Sequence, residues 1–237
     1  MILDRENWKF FLSKGFSLKS SGATGDCKSI FQPPEKLAFA NKIALEAQHI
    51  TRSSRILTIC KMNHAGGALA QTLPALSIDA HVKIKGFNAY RFWQDIKGFT
   101  HTHLTPTHCE ALIKTRTFSN INLNGLFITC GSDRVPFNVI HQFVAHGAKF
   151  MCNWGMTEIG PITINTLFSS IDDVTQYQQQ ALSTGSLMGD CYYCDYKIEN
   201  GTLHVKGEQC VYNDWFDTKD RVNLNDHAAM YFISRQL

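Results

Sequence analysis

Short β-rich runs and helical stretches alternate along most of this chain, and that alternation restricts the folds open to it. Residues 55–60 read as a strand, 68–76 as a helix, 80–84 as a second strand and 88–96 as a helix. Residues 100–104 form the next strand. Thr105 then serves as an N-cap and Pro106 opens a helix, since proline has no N–H to lose at that position. The order recurs with a buried strand over 125–130, a helix over 136–146 and a strand over 148–152. Strands separated by helices in this way predict βαβ units: an α/β fold with a mostly parallel sheet flanked by helices. Upstream, Leu37, Ala40, Ile43, Ala44 and Ala47 recur at helical spacing behind Pro33-Pro34.

The pattern changes after residue 182. Residues 193–198, 202–206 and 229–233 read as short strands, and Asn200-Gly201 between the first two is a strong hairpin signal. The expected division is an α/β subdomain over 1–182 and a small β-rich subdomain over 183–237. At 237 residues and 44% hydrophobic content, the chain suffices for one large domain or two small ones.

Several functional classes are excluded. Twenty-three Lys and Arg against 20 Asp and Glu leave a formal charge of +3, with no gross basic footprint for nucleic acid. No apolar run approaches the ~20 residues of a membrane span. Asp4, Arg5, Glu6 and Lys9 interrupt the N-terminus, which makes a poor signal peptide. A cytoplasmic location is expected. Of eight cysteines, several sit in apolar runs, as at Cys60 and Cys130, which favours reduced thiols over a disulfide framework.

Two segments carry legible chemistry. Ser20-Ser21-Gly22-Ala23-Thr24-Gly25-Asp26-Cys27-Lys28 gathers hydroxyls, glycines and a lysine within nine residues. Glycines let backbone N–H groups turn toward phosphate oxygens, hydroxyls add donors and the lysine adds charge. An ordinary Ser/Gly surface loop has the same composition, and the Walker pattern is not met because Lys28 does not follow a glycine. Asn153-Trp154-Gly155-Met156-Thr157-Glu158 sets a flat ring for stacking beside a hydroxyl and a carboxylate able to hold Mg²⁺. A core aromatic is the competing reading of Trp154. Two other groups admit a metal reading: Cys191, Cys194, His204 and Cys210, and His101, His103, His108 and Cys109. The first lacks normal spacing for its second pair, the second lacks a carboxylate motif, and both are better read as strand or surface residues.

Taken in order, these segments resemble the motifs of the adenylate-forming superfamily, in particular the AMP-binding domain of acyl-CoA synthetases. Residues 20–28 resemble its phosphate loop, with Ser20, Ser21, Gly22, Thr24, Gly25 and Lys28 matching and Cys27 replacing a proline. Asn63-His64-Ala65-Gly66-Gly67 resembles its His-x-x-Gly turn. Residues 126–136 resemble its apolar strand ending in Gly-Gly, with Gly131 matching and Ser132 departing. Residues 153–158 resemble its aromatic-Gly-x-Thr-Glu motif, and Thr184-Gly185-Ser186 its entry into the β-rich part. Trp215-Phe216-Asp217-Thr218-Lys219-Asp220 resembles Trp-Phe-x-Thr-Gly-Asp, with Lys219 replacing glycine. Arg235 matches the arginine that ends the last strand.

The resemblance implies that ATP, with AMP as its product moiety, binds with Mg²⁺ and a carboxylic acid to form an acyl-adenylate. Transfer of the acyl group to CoA is the family's usual second step. It implies nucleotide binding by Ser20, Ser21, Gly22, Thr24, Gly25, Lys28, Gly131, Ser132, Asn153, Trp154, Gly155, Asp220 and Arg235. Thr157 and Glu158 would act on the phosphates, with Glu158 as the Mg²⁺ ligand and His64 bordering the acid. Family members carry more chain at both ends, including a C-terminal domain that supplies a lysine, and no residue here is assigned that role. The sequence therefore leaves open a reduced-activity enzyme, one completed by a protein partner or homo-oligomer, and a nucleotide- or acyl-binding module.

Overall fold

The computed structural model describes residues 3–20 and 28–236. In chain order its strands are β1 (Phe16–Lys19), β2 (Ser29–Gln32), β3 (Arg55–Thr58), β4 (His81–Ile84), β5 (His101–Leu104), β6 (Phe127–Cys130) and β7 (Lys149–Met156). They continue as β8 (Gly160–Phe168), β9 (Ser186–Gly189), β10 (Cys191–Tyr192), β11 (Asp195–Glu199), β12 (Thr202–Lys206), β13 (Phe216–Leu224) and β14 (Met230–Arg235). The main sheet has seven strands in the order β10-β8-β7-β6-β5-β3-β4. Strands β3 to β7 run parallel, and β8 and β10 add antiparallel at one edge. This is the expected α/β sheet, mostly parallel.

The central parallel strands are covered on both faces, whereas β4 at the edge leaves Lys83 and Ile84 exposed. All four residues of β5 and of β6 are buried. Helix Phe137–Ala145 places Val139, Ile140, Phe143 and Val144 into the largest core, where Phe143 meets Phe118 and Phe150 ring to ring. Thr105 caps Pro106–Ile113 by accepting the His108 N–H, and the His108 ring answers at the Thr105 N–H. The helix expected over 68–76 is longer, continuous from Ala65 to Ser77, and its middle turn Ala68–Thr72 is a π-helix. There the Thr72 hydroxyl donates to the Gly67 carbonyl and meets the Thr58 hydroxyl of the sheet. Such widened turns often accompany function.

A second, five-stranded antiparallel sheet runs β11-β12-β13-β14-β9. Asn200 and Gly201 link β11 to β12 with φ of 51° and 78°, the two positive values that a tight twisted hairpin requires. The sheet is bound to the first by shared cores. Leu187, Ala229 and Tyr231 enter the main core, and Trp154, Ile159 and Ile164 join Leu203, Val205, Val222 and Met230 in another. Strand β10 belongs to the main sheet although β9 before it belongs to the second. No helix among the described residues is long and apolar enough to cross a membrane.

Candidate active site

The parallel strands all point their C-terminal ends at one cleft of about 1750 Å³, closed on its far side by β9, β13 and β14 of the second sheet. Ligands of open α/β sheets bind at such strand ends, because loops there are free to vary while the sheet holds them in place. Ser20, Lys28, His64, Ser132, Asn153, Trp154, Gly155, Thr157, Glu158, Asp220 and Arg235 all border this cleft. They come from sequence positions more than 200 residues apart. Ser21, Gly22, Thr24 and Gly25 lie outside the described residues. A smaller hollow of about 620 Å³, over helix Pro34–Ala47, holds none of the candidates.

The ends of the phosphate-loop segment are fixed. Strands β1 and β2 pair antiparallel with Lys19 opposite Ser29. The Ser20 N–H donates to the Lys28 carbonyl at 2.8 Å, and the Lys28 N–H donates to Ser20 Oγ at 3.2 Å. Ser20 and Lys28 thus close the end of the β1–β2 ladder. The Lys19 N–H reaches the Asn63 carbonyl at 2.9 Å, and His64 Nδ1 lies 3.2 Å from the Lys19 carbonyl. On the other side, Gln32 Nε2 donates to the Thr157 carbonyl at 2.9 Å, so the hairpin also anchors the turn that carries Thr157 and Glu158.

Close backbone packing explains two glycines. A Cβ on Gly131 would lie 2.4 Å from the Asn153 carbonyl oxygen, and one on Gly155 would lie 2.4–2.5 Å from the carbonyls of Pro161 and Gly160. Residues 153–156 lie within β7 rather than after it. The strand runs four residues beyond the expected 148–152, and Met156 pairs with Gly160 across a bulged hairpin. The longer strand carries Asn153 and Trp154 toward the second sheet.

Trp154 is half-buried in the core shared by the two sheets, and its Nε1–H donates to Asp220 Oδ2 at 3.1 Å. Asp220 is 3% exposed, and Arg235, its register partner on β14, lies with Nε 3.5 Å from Oδ1. Burial pushes the Asp220 carboxyl above the usual range, against the opposing pull of Arg235 and the Trp154 N–H. Three side-chain acceptors that border the cleft are buried without a hydrogen bond among the described residues: Asn153 Oδ1, Glu158 Oε2 and Asp220 Oδ1, the last with only the Arg235 guanidinium 3.5 Å away. Unpartnered buried acceptors are costly and call for an explanation.

Both departures from glycine keep a glycine-like backbone. Lys219 has φ 64° and Ser132 has φ 76°. At Lys219 the strain is partly offset by Asp217, which accepts the Lys219 N–H at 2.9 Å and pairs with its Nζ at 2.5 Å.

Cys60, Phe87, His103 and His108 border the same cleft although none lies in a matched motif position. Their signal is positional: each lies just past, or at, the end of a parallel strand or at the start of the helix that follows. Among the described residues no group of three or more His, Cys, Asp or Glu is arranged to hold a metal, and all seven cysteines are free. The His101–Cys109 group is dispersed. His101 bonds the Gln48 carbonyl and stacks on Phe127, and His103 meets Cys60 Sγ at 3.4 Å.

Comparison with known proteins now decides the family. The model of the AMP-binding enzyme family matches residues 19–214. The chain belongs to that family. It is 31% identical over 147 residues to an indoleacetate–CoA ligase of Aromatoleum aromaticum, a match covering 60% of this chain and 29% of that one. It is 26% identical over 151 residues to the acyl-CoA synthetase FUM10 of Gibberella moniliformis, covering 62% and 27%. The matched part is therefore under a third of the length of these curated relatives. The fold matches the N-terminal domain of FACL13 from Mycobacterium tuberculosis with a TM-score of 0.79 at 16% identity, covering 93% of this chain and 60% of that one. It also matches O-succinylbenzoate CoA synthetase from Bacillus subtilis, a structure in complex with ATP and magnesium, with a TM-score of 0.76 at 20% identity, covering 92% and 49%.

Proposed function

We propose that this AMP-binding domain holds ATP and a carboxylic acid in the one cleft and forms an acyl-adenylate with release of pyrophosphate. The observation that carries the reading is the set of three buried acceptors bordering that cleft that receive no hydrogen bond among the described residues: Asn153 Oδ1, Glu158 Oε2 and Asp220 Oδ1. A nucleotide with its cation supplies what such acceptors lack, since the adenine amino group and ribose hydroxyls donate and a divalent cation takes oxygen ligands.

In this reading Asp220 Oδ1 accepts from the ribose while Oδ2 stays held by Trp154. The Trp154 ring faces the base, with Ser132 and Gly155 bordering the adenylate and Gly131 holding the β6 end close against Asn153. Ser20, Lys28 and the glycines between them cradle the β- and γ-phosphates, and Arg235 adds positive charge beside the ribose. The Glu158 carboxylate fits Mg²⁺, which would supply charge neutralisation on the phosphates. Thr157 is oriented toward the phosphates by the Gln32 contact to its carbonyl, and His64 borders the acid. The acid needs no general base, because a carboxylate is ionised at neutral pH. The domain's work is to bring two anions into line and to keep water from the adenylate. Acyl transfer to CoA, the chemistry named for the two curated relatives, is the second step we assign to the full catalytic assembly.

Acid-dependent exchange of labelled pyrophosphate into ATP tests the proposal. Exchange that needs the acid, and that Glu158→Gln abolishes, supports it. Tight ATP binding without exchange for any acid, even with a family C-terminal domain added, would leave a nucleotide-binding module instead.

A further inference from the structure

One arm of the cleft is left over once the nucleotide positions are assigned. It runs from Gly66 past the ends of β3, β4 and β5 and is bordered by Cys60, Ile84, Phe87, His103 and His108. We propose that this arm is shaped for the flat, uncharged ring of an aromatic carboxylic acid, gripped between the Phe87–His108 wall and His103. The proposal rests on the nucleotide reading for where the carboxylate end lies.

Three features argue for it. First, the wall is aromatic and already assembled. The Phe87 and His108 rings sit 4.2 Å apart between centroids, tilted by 38°. Helix capping fixes His108, because its Nδ1 receives the Thr105 N–H, which leaves Nε2 as the protonated nitrogen. A rigid wall that offers a π-face and one N–H edge suits a planar ring, which gives up little conformational freedom on binding. A flexible alkyl chain loses rotamer freedom there and leaves the histidine edges unpaired.

Second, the arm is open where it joins the nucleotide side. A Cβ on Gly66 would meet the His103 ring at 2.9 Å and Ser132 Oγ at 3.6 Å. The missing side chain at Gly66 keeps a passage between His103 and Ser132, and the acid's carboxylate would point through it toward the α-phosphate.

Third, the arm carries no uncompensated charge. Lys85 is ion-paired with Asp95. Burial holds His103 near a pKa of about 4 and lowers that of His108, so both rings are neutral at pH 7. Burial also pushes the Cys60 thiol up to about 12, which keeps it protonated and unreactive. Lys61, exposed at the rim, is the group that a second carboxylate would reach, and a dicarboxylate is therefore the competing ligand.

The test is calorimetric titration with benzoate, phenylacetate, hexanoate and succinate, each with and without saturating AMP, and with AMP alone. The parent chain, Phe87→Ala and Gly66→Ala are compared. We expect an aryl acid to bind at least about tenfold more tightly than hexanoate or succinate. Phe87→Ala should weaken the aryl acid by roughly tenfold and hexanoate by much less, and Gly66→Ala should weaken every acid. AMP affinity reports whether the cleft is intact in each variant. Equal or tighter binding of hexanoate or succinate, aryl binding indifferent to Phe87→Ala, or no binding of any acid would each overturn the proposal. Loss of AMP binding alone, with the aryl preference intact, would instead count against the nucleotide reading. An AMP-competent chain without the preference would sink the arm and spare that reading.

Discussion

Replacing Asp220 by asparagine separates what the fold needs from what the ligand needs. The carboxyl is 3% exposed, and its burial penalty exceeds what Arg235 and the Trp154 N–H return, because its pKa lies above the ordinary value. A neutral amide of the same shape removes that penalty. It still presents a carbonyl oxygen to the Trp154 N–H, and Arg235 is exposed enough to be solvated without its partner. Stability should stay within about 1 kcal/mol of the parent or rise above it, as for other neutralised buried charges. Nucleotide affinity should move the other way. Hydrogen bonds to a charged group contribute about 1.5–3 kcal/mol, so losing the charge-assisted contact to ribose should weaken AMP roughly 10- to 100-fold. Thermal unfolding and calorimetric titration with AMP, run on the same preparations, read the two effects. Unchanged affinity in a folded variant would refute the ribose assignment. A melting point lowered by more than about 4 °C, over 1 kcal/mol for a chain of this size, would refute the claim that the carboxylate is held at a cost to the fold.

Other predictions follow from single contacts. Gly155→Ala should destabilise by about 1–3 kcal/mol, since its Cβ would fall on the backbone carbonyls of Gly160 and Pro161; an unchanged melting point would show that the β7–β8 hairpin yields freely. At position 219, glycine should exceed alanine in stability by about 1 kcal/mol, because both lack the pairing with Asp217 and only alanine keeps the strain of a φ near 64°; the reverse order in denaturant titrations would contradict the left-handed assignment. AMP affinity should fall on acidification sooner than an ordinary carboxylate would dictate, because the pKa of Asp220 is raised. The stability effect has the opposite sign: protonation of Asp220 favours the fold, so its contribution is lost as pH rises from the ordinary carboxylate value through the raised one. His103, depressed to about 4 from 6.5, contributes stability that is present above 6.5 and lost as pH falls toward 4, roughly 3 kcal/mol in all. His103→Gln should flatten that acid limb of a stability-versus-pH curve, and an unaltered limb would place the titration elsewhere.

The βα alternation from Arg55 to Cys152 was legible because short β-rich runs such as Arg55–Thr58 and Phe127–Cys130, buried in the sheet, alternate with helices that have clear start signals. Elements outside that regime were not. Strand β13 carries Asp217, Lys219, Asp220 and Arg221, and charge hides its strand character, although Thr218, Asp220 and Val222 alternate inward. Strand β8 was hidden by its Gly160-Pro161 start, and as an antiparallel partner it has no helix before it to mark it. Helix Ile171–Gln179 is largely polar and buries only Val174, which hides its periodicity, yet its capping box from Ser170 to Asp173 is a sequence-level start signal. The motif-borne site residues were legible since glycine, aromatic and carboxylate types recur in a fixed order. The lining of the leftover arm was not, because Cys60, Phe87, His103 and His108 become neighbours only when β3, β4 and β5 are set side by side. Lys219 and Ser132 looked like losses in the sequence. The backbone shows that both keep the conformation a glycine would adopt.

The most direct measurement is a crystal structure of the chain with a non-hydrolysable acyl-adenylate mimic. The account predicts the ribose against Asp220, the base beside Trp154 and the phosphate mimic between Glu158 and the segment 20–28. Mimic bound away from the strand ends, or Asp220 Oδ1 and Glu158 Oε2 still unpartnered around an ordered ligand, would contradict it.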